Sequence, residues 1–224
     1  MRFSICIPTY EMRDKGVQFL NELFESLKIQ SCQDFEVIVS DHSKDDRIWK
    51  LCTQWEKVFT LRYLPYAEHR GEARANRQNA IKAAVGDIIK PMDQDDFMYS
   101  KDCLSRINEA LHFNPEISWG LIGYIHTNES ADTFYNIVHS SDGYVPKSLF
   151  KPSTTFYKRT GKKSRFIPRI HALIVSGAII AIREWPFQAG KYVTTKQLSM
   201  KDRRKMAWLS TKRIIRKYIL NKLQ

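Results

Sequence analysis

The sequence predicts an α/β fold: a mainly parallel mixed sheet flanked by helices, with a basic helical tail at its C-terminus. Short apolar runs alternate with amphipathic stretches through the first 126 residues, the pattern of strands joined by crossover helices. Several of these runs stop at polar or acidic residues, so the loops that follow them are expected on one edge of the sheet. Charge also changes sign along the chain. Of 36 Lys or Arg and 24 Asp or Glu, residues 143–224 hold 20 basic residues and two acids, Glu184 and Asp202, leaving 16 and 22 in the first 142. The net +12 is therefore −6 in the first part and +18 in the second. Such a split predicts acids able to hold a cation and a basic surface for an anionic partner.

Phe3 to Ile7 is a short apolar run stopped by Pro8. From Val17 to Ile29, residues Phe19, Leu20, Leu23, Phe24 and Leu27 fall at i, i+3, i+4 spacing, an amphipathic helix. Phe35 to Val39 is a second buried strand, ending at Ser40-Asp41. A helix over residues 46–58 and a strand over 60–64 follow. The Ala- and Arg-rich stretch 72–85 reads as a third helix, with Gly86 placed to terminate it. Ile88 to Met92 is the next strand and runs directly into Asp93-Gln94-Asp95-Asp96. Lys101 to His112 is a helix stopped by Asn114-Pro115, and Trp119 to His126 is a further strand. Beyond about residue 127 the pattern weakens, punctuated by Pro146, Pro152, Pro168 and Pro186. Residues Lys201 to Gln224 are helical again, with Met206, Trp208, Leu209, Ile215, Ile219 and Leu223 among nine Lys or Arg. Residues 1–126 and 127–200 thus form the two halves of one domain, and 201–224 a basic amphipathic helix.

At 224 residues the chain can bury one substantial core, and 43% hydrophobic with 12% aromatic residues excludes a disordered chain. Cys6, Cys32, Cys52 and Cys103 form no close pair and no metal-finger spacing, as expected of reduced thiols in a cytoplasmic protein. The longest apolar stretch, Ala172 to Ile182, is broken by Ser176 and Gly177 and falls short of the roughly 20 residues of a membrane span. The N-terminus lacks a long apolar segment and a small-residue cleavage site, so no signal peptide is expected.

The acidic cluster carries the chemistry. In extended geometry alternate side chains share a face, so Asp93 and Asp95 can point into one cleft. Three neighbouring carboxylates repel one another unless a cation is present, and hard oxygen ligands suit Mn²⁺ or Mg²⁺ shared with substrate phosphates. A solvated acidic turn or a helix N-terminus would use the same residues.

The opening Ser4-Ile5-Cys6-Ile7-Pro8-Thr9-Tyr10 resembles the start of family 2 glycosyltransferases of the GT-A fold, a Rossmann-like architecture. Phe35 to Asp45 is similar to that family's second strand and its Asp-Asp-Gly-Ser loop. Arg70 to Ala80 resembles its Ala-Arg-Asn-x-Gly helix, and Gly86-Asp87-Ile88-Ile89 leads into its Asp-x-Asp-Asp motif. The resemblance covers roughly residues 3–98 and implies inverting transfer of a sugar from a nucleoside-diphosphate donor, with Mn²⁺ or Mg²⁺. It implies that Pro8, Thr9 and Tyr10 line the nucleotide pocket and that Asp41 contacts the base. It places Arg77 near the diphosphate or the acidic motif, and makes Asp95 the principal metal ligand, supported by Asp93. Glu11 and Gln94 are assigned to the same donor site. Ser40 replaces the first acid of the Asp-Asp pair, His42 stands where Gly is usual, Gln78 replaces Asn and Ala80 replaces Gly. These departures leave the donor open.

Inverting transfer needs a base for the acceptor hydroxyl. In the family it comes from the second half of the chain, where Gly190-Lys191-Tyr192 and Met200-Lys201-Asp202 resemble the Gly-Gly-Tyr and Glu-Asp patterns, with Lys201 in the Glu position. Asp202 is the first candidate and Glu184 the second; Ser199 to Asp202 also reads as a capping box. His42, His69, His112, His126, His139 and His171 show no ligand spacing, although His139 and His171 are candidates to face the acceptor. The basic C-terminal helix suits peripheral contact with anionic membrane, or packing on the domain. The expected partners are a nucleotide-sugar donor and a glycan or lipid-linked acceptor, without nucleic acid. The rival readings are a nucleotidyltransferase, which would carry a Gly-rich phosphate loop after the first strand, and a non-catalytic basic module for membrane or nucleic acid.

Overall fold

Seven consecutive residues with no exposed position, Phe3–Thr9, form β1, an inner strand of the sheet. The computed structural model describes residues 1–139, 150–159 and 173–184. Met1–Arg183 forms one compact unit, and Glu184 begins a second. β1 pairs in parallel with β2 (Phe35–Asp41) on one side and β4 (Ile88–Pro91) on the other, and β3 (Leu61–Pro65) pairs in parallel with β2. Beyond β4 the sheet continues through β8 (Thr155–Lys158), β6 (Trp119–Thr127), β9 (Leu173–Arg183) and β5 (Phe97–Met98), with β7 (Phe134–Val138) also pairing with β6. Pairing is antiparallel in this half except between β6 and β9. The sheet is therefore mixed, with its unbroken parallel part at β3-β2-β1-β4.

Both faces of the parallel strands are covered, as βαβ connectivity requires. Phe3, Ile5, Ile7, Val37 and Val39 pack with Leu20, Leu23, Phe24 and Leu27 of α1 (Gly16–Lys28) and with Ile48, Leu51, Cys52 and Trp55 of α2 (Arg47–Trp55). The main core continues into Leu104, Ile107 and Leu111 of α4 (Cys103–Phe113). The alternate residues Cys6, Ile38 and Ile89 face the other way, against Ala80 of α3 (Ala73–Ala83) and Ala84. All four cysteines are free, and burial pushes the Cys6, Cys52 and Cys103 thiols above their ordinary range.

Every element expected up to Thr127 is present, with shifted ends. The helix expected over 46–58 spans Arg47–Trp55 and gives way to a turn. Gly86 is not the C′ residue, because α3 ends at Ala83 with Ala84 as its cap. Its lack of a side chain has another cause: a Cβ there would lie 2.8 Å from the Arg2 carbonyl oxygen and from Ser4 Oγ. The stretch Ala172 to Ile182, expected only to be too short for a membrane span, supplies β9. No helix among the described residues is long and apolar enough to cross a membrane. The helix expected over 201–224 lies outside the described residues.

Gly86 belongs to a polar knot built on Glu36, whose side chain is 2% exposed. Glu36 Oε1 accepts from Ser4 Oγ at 2.6 Å and from the Val85 and Gly86 N–H groups at 2.8 and 3.2 Å, while Oε2 accepts from Arg62 at 3.2 Å. Burial pushes this carboxyl up, but the bonds from Ser4, Val85, Arg62 and Gly86 outweigh it and hold Glu36 below its ordinary range. A carboxyl lowered by folding contributes stability above its unfolded pKa and loses it as pH falls through the folded value. Glu36→Ala removes the acceptor of the Ser4 hydroxyl and of the Val85 N–H, while the Gly86 N–H keeps its bond to Ser4 Oγ at 2.8 Å, and should cost about 3 kcal/mol at pH 7. In urea melts at stepped pH, the gap from wild type should narrow below about pH 4.3, the ordinary Glu range. A gap constant from pH 7 to pH 3 would refute this account of the knot.

Candidate functional site

Parallel register decides where the site lies. Thr9 stands opposite Asp41, and Cys6 opposite Pro91, so β1, β2 and β4 all release their loops at one edge. Residues 8–11, 41–43 and 92–96 therefore converge there, as the sequence predicts.

The three loops are tied by hydrogen bonds rather than merely adjacent. The Tyr10 N–H donates to Gln94 Oε1 at 3.0 Å, and Gln94 Nε2 donates to the Gly16 carbonyl at 2.8 Å. Gly16 is required here, since a Cβ would collide with the Tyr10 carbonyl oxygen and sit 2.9 Å from Gln94 Nε2. Between these points Met12, Arg13 and Asp14 take positive φ values of 47°, 50° and 69°, a strained turn of the kind that collects at functional loops. The Thr9 carbonyl accepts from the His42 N–H and from Asn76 Nδ2, each at 2.9 Å. Glu11 Oε1 accepts from the Lys44 N–H at 2.6 Å, linking the first loop to the second.

Asp41 is buried at the end of β2. Its Oδ1 accepts from Thr9 Oγ1 at 3.0 Å and from the Ser43 N–H and Oγ at 3.0 and 2.7 Å; Oδ2 accepts from the Tyr63 hydroxyl at 2.8 Å. Burial, reinforced by Asp41, pushes the Tyr63 phenol above its ordinary range. The neighbouring His42 ring stacks on Tyr66 with centroids 5.3 Å apart, and burial pulls its pKa down. A neutral imidazole at this point adds no charge to the loop.

The acidic segment is anchored from behind. The Asp93 N–H donates to Ser153 Oγ at 2.8 Å, and the Asp96 N–H donates to the Asp93 carbonyl at 3.1 Å. Arg77 forms an ion pair with Asp93 Oδ1. Asp95 and Asp96 are buried, whereas Asp93 is partly open. Burial, and then the charges of Asp95 and Asp93, push Asp96 well above the ordinary carboxyl range, opposed by Ser153 and Lys151. Lys90, fully buried at the end of β4, donates to the Pro91 carbonyl at 3.2 Å, to Met92 Sδ at 3.3 Å and to the Ser153 carbonyl. Burial pushes its pKa down to about 8. Arg183, at the end of β9, donates to the Asp95 carbonyl at 3.3 Å.

Among the described residues no group of three or more Asp, Glu, His or Cys is arranged to hold a metal unaided. Mutually repelling carboxylates of hard oxygen nonetheless fit an ion of the Mg²⁺ class, which uses one or two carboxylates and completes its shell with water and phosphate.

The structure thus gathers Pro8, Thr9, Tyr10, Glu11, Asp41, Arg77, Asp93, Gln94 and Asp95 around one edge. Pro8 and Thr9 are buried inside β1, and Tyr10 is exposed beyond it. Glu184 is exposed immediately after β9. Asp202 and His171 lie outside the described residues, and His139 is an exposed residue after β7. Ser153, Lys90, Asn76 and Arg183 were not expected at the site. Arg183 had a signal, a lone cation closing a long apolar run in the way Asp41 closes β2. Ser153 sits in the three-residue 3-10 turn Pro152–Thr154, too short for any periodicity to mark it.

The model of glycosyl transferase family 2 matches residues 4–187. The chain is 29% identical over 154 residues to a poly(ribitol-phosphate) beta-glucosyltransferase of Bacillus spizizenii, which covers 67% of this chain and 21% of that protein. It is 32% identical over 117 residues to the uncharacterised glycosyltransferase YfnE of Bacillus subtilis, covering 52% of this chain and 28% of that one. Residues 1–349 of Staphylococcus aureus TarS, solved in complex with UDP, superpose with a TM-score of 0.52 at 23% identity, over 70% of this chain and 47% of that one. The chain therefore spans between a fifth and a third of the length of these two relatives. With a family match across most of its length, and its strand-end loops converging as that family's motifs imply, the chain belongs to glycosyl transferase family 2 and has the GT-A fold.

Proposed function

We propose that this chain is a glycosyltransferase that transfers a sugar, with inversion, from a nucleoside-diphosphate donor to a glycan or lipid-linked acceptor, with Mn²⁺ or Mg²⁺. The observation that carries this reading is the Arg77–Asp93 ion pair at the point where the β1, β2 and β4 loops meet. It puts a guanidinium and three carboxylates at one strand edge, the combination that a diphosphate and a divalent ion need together. Structures related in fold hold UDP and UDP-GlcNAc, which supports a UDP-sugar donor. The name of the Bacillus spizizenii relative and the excess of basic residues over 143–224 support an anionic polymer acceptor. The same basic stretch supports peripheral contact with anionic membrane on its cytoplasmic side.

In this reading Pro8–Glu11 and Asp41 shape the base pocket, with Asp41 held in one orientation by Thr9, Ser43 and Tyr63. Asp95 and Asp93 hold the ion, which supplies charge neutralisation to the departing diphosphate. Arg77 contributes fixed positive charge at the same place, where leaving-group charge develops. The acceptor hydroxyl oxygen attacks the anomeric carbon as the bond to the diphosphate breaks. Asp202 takes the hydroxyl proton, with Glu184 as the alternative base. Gln94 holds the Tyr10 loop against the acid segment and keeps the donor pocket in one shape.

Three outcomes test this reading. Asp95→Asn should weaken Mn²⁺-dependent thermal stabilisation by UDP-sugars and lower transfer by at least about 100-fold, the scale of losing one preorganised electrostatic group. Unchanged donor and metal binding in that variant would sink the donor-site assignment. Asp202→Asn should retain UDP binding while transfer falls by about 10²–10⁴, as expected for loss of a general base. Transfer at the wild-type rate would pass that role to Glu184, to be checked with Glu184→Gln. Inversion is read by NMR of the product anomer against the donor anomer, and a product of retained configuration would exclude the single-displacement route.

A further inference from the structure

Among the described residues Arg183 is the bulkiest fully buried side chain, and it carries a charge. Burying a guanidinium is costly unless its donors are matched, and here they point to three separate segments. Nη2 forms an ion pair with Glu22 of α1. Nη1 donates to the Glu129 carbonyl, beyond the end of β6. Nε donates to the Asp95 carbonyl at 3.3 Å. The guanidinium carbon lies 4.3 Å from the centre of the Phe19 ring and 5.6 Å from that of Phe97, so the plane is fixed as well as the ends. Phe97 follows the acid segment directly, and Phe19 and Glu22 share one face of α1.

We propose that Arg183, held by Glu22, is a positioning residue that sets the orientation of Asp95 in the donor site. The inference rests on the reading of Asp95 as a metal ligand. Its neighbours in the loop have their own anchors: Asp93 bonds Ser153 and Arg77, and Gln94 bonds Tyr10 and Gly16. The Asp95 carbonyl is anchored by Arg183, which fixes the peptide plane that aims the Asp95 side chain. A lysine cannot take over this role, since one ammonium on a flexible stem cannot reproduce a planar fork reaching three acceptors. Glu22 sets the fork in turn. Its side chain is 31% exposed and also accepts from Gln18 Nε2 at 3.0 Å, so it can be neutralised without opening the core.

The test is Mn²⁺ binding to the full chain in the presence of saturating UDP, read from loss of the free-ion EPR signal. Thermal unfolding is followed in parallel. Arg183→Lys and Glu22→Gln should each raise the Mn²⁺ dissociation constant of the folded protein by about 10- to 100-fold, the usual cost of removing a partner of a metal ligand. If Arg183→Lys does not fold, Glu22→Gln alone decides. A lowered melting temperature with unchanged Mn²⁺ affinity in the folded variants would overturn the inference and leave the proposed function standing. No Mn²⁺ binding by the wild type would overturn both, so the two failures are distinguishable.

Discussion

The parallel pairing of β1 with both β2 and β4 is the constraint on which the site depends. Parallel neighbours end on the same side, so three segments far apart in sequence are delivered to one edge without any loop having to travel. The strands can pair this way because both faces are covered. Ile5, Ile7, Val37 and Val39 pack against α1 and α2, while Cys6, Ile38 and Ile89 pack beneath α3. Ser4 and Glu36 interrupt this apolar pattern at the opposite end of the strands and bind Gly86, which fixes where β4 begins. The register of the acid segment is thus set several residues before it is reached.

Electrostatics then decides what that edge can hold. Asp93, Asp95 and Asp96 would destabilise a buried turn if all were charged and unopposed. The fold meets this in two ways. Arg77 pairs with Asp93 on the open side, while the ammonium of Lys90 and the guanidinium of Arg183 lie behind the loop on carbonyl oxygens. Burial and the neighbouring carboxylates also drive Asp96 toward its protonated form. The cluster consequently presents less negative charge than its composition suggests.

The parallel half of the fold was legible because its periodicity is unmixed. Buried strands read as apolar runs, α1 shows a clean apolar stripe, and β1 and β2 end at the polar residues Thr9 and Asp41. The antiparallel half apart from β6 was harder to read, for physical reasons. β5 is two residues long, β7 is a largely exposed strand without alternation, and β8 follows a proline turn. β9 was visible as an apolar run, but its Ser176 and Gly177 fall where the pairing with β6 shifts register, which hides the strand period. Site residues followed the same division. Asp41 and the acid segment stand at the ends of strands and Arg77 lies within α3, whereas Ser153 acts from a three-residue 3-10 turn. Gln94 reads as a donor contact by its place in the motif, and what gave no signal was that both ends of its amide are engaged within the protein.

That amide has a mechanical consequence. Through Gln94 the Tyr10 segment and the acid segment are joined as one stiff body, because shifting either breaks a hydrogen bond to a buried partner. Two positions coupled in this way obey reciprocity: whatever free energy occupation of one contributes to the other is returned in equal measure. The order in which two ligands arrive can therefore alter the rate of assembly but not the stability of the assembled state.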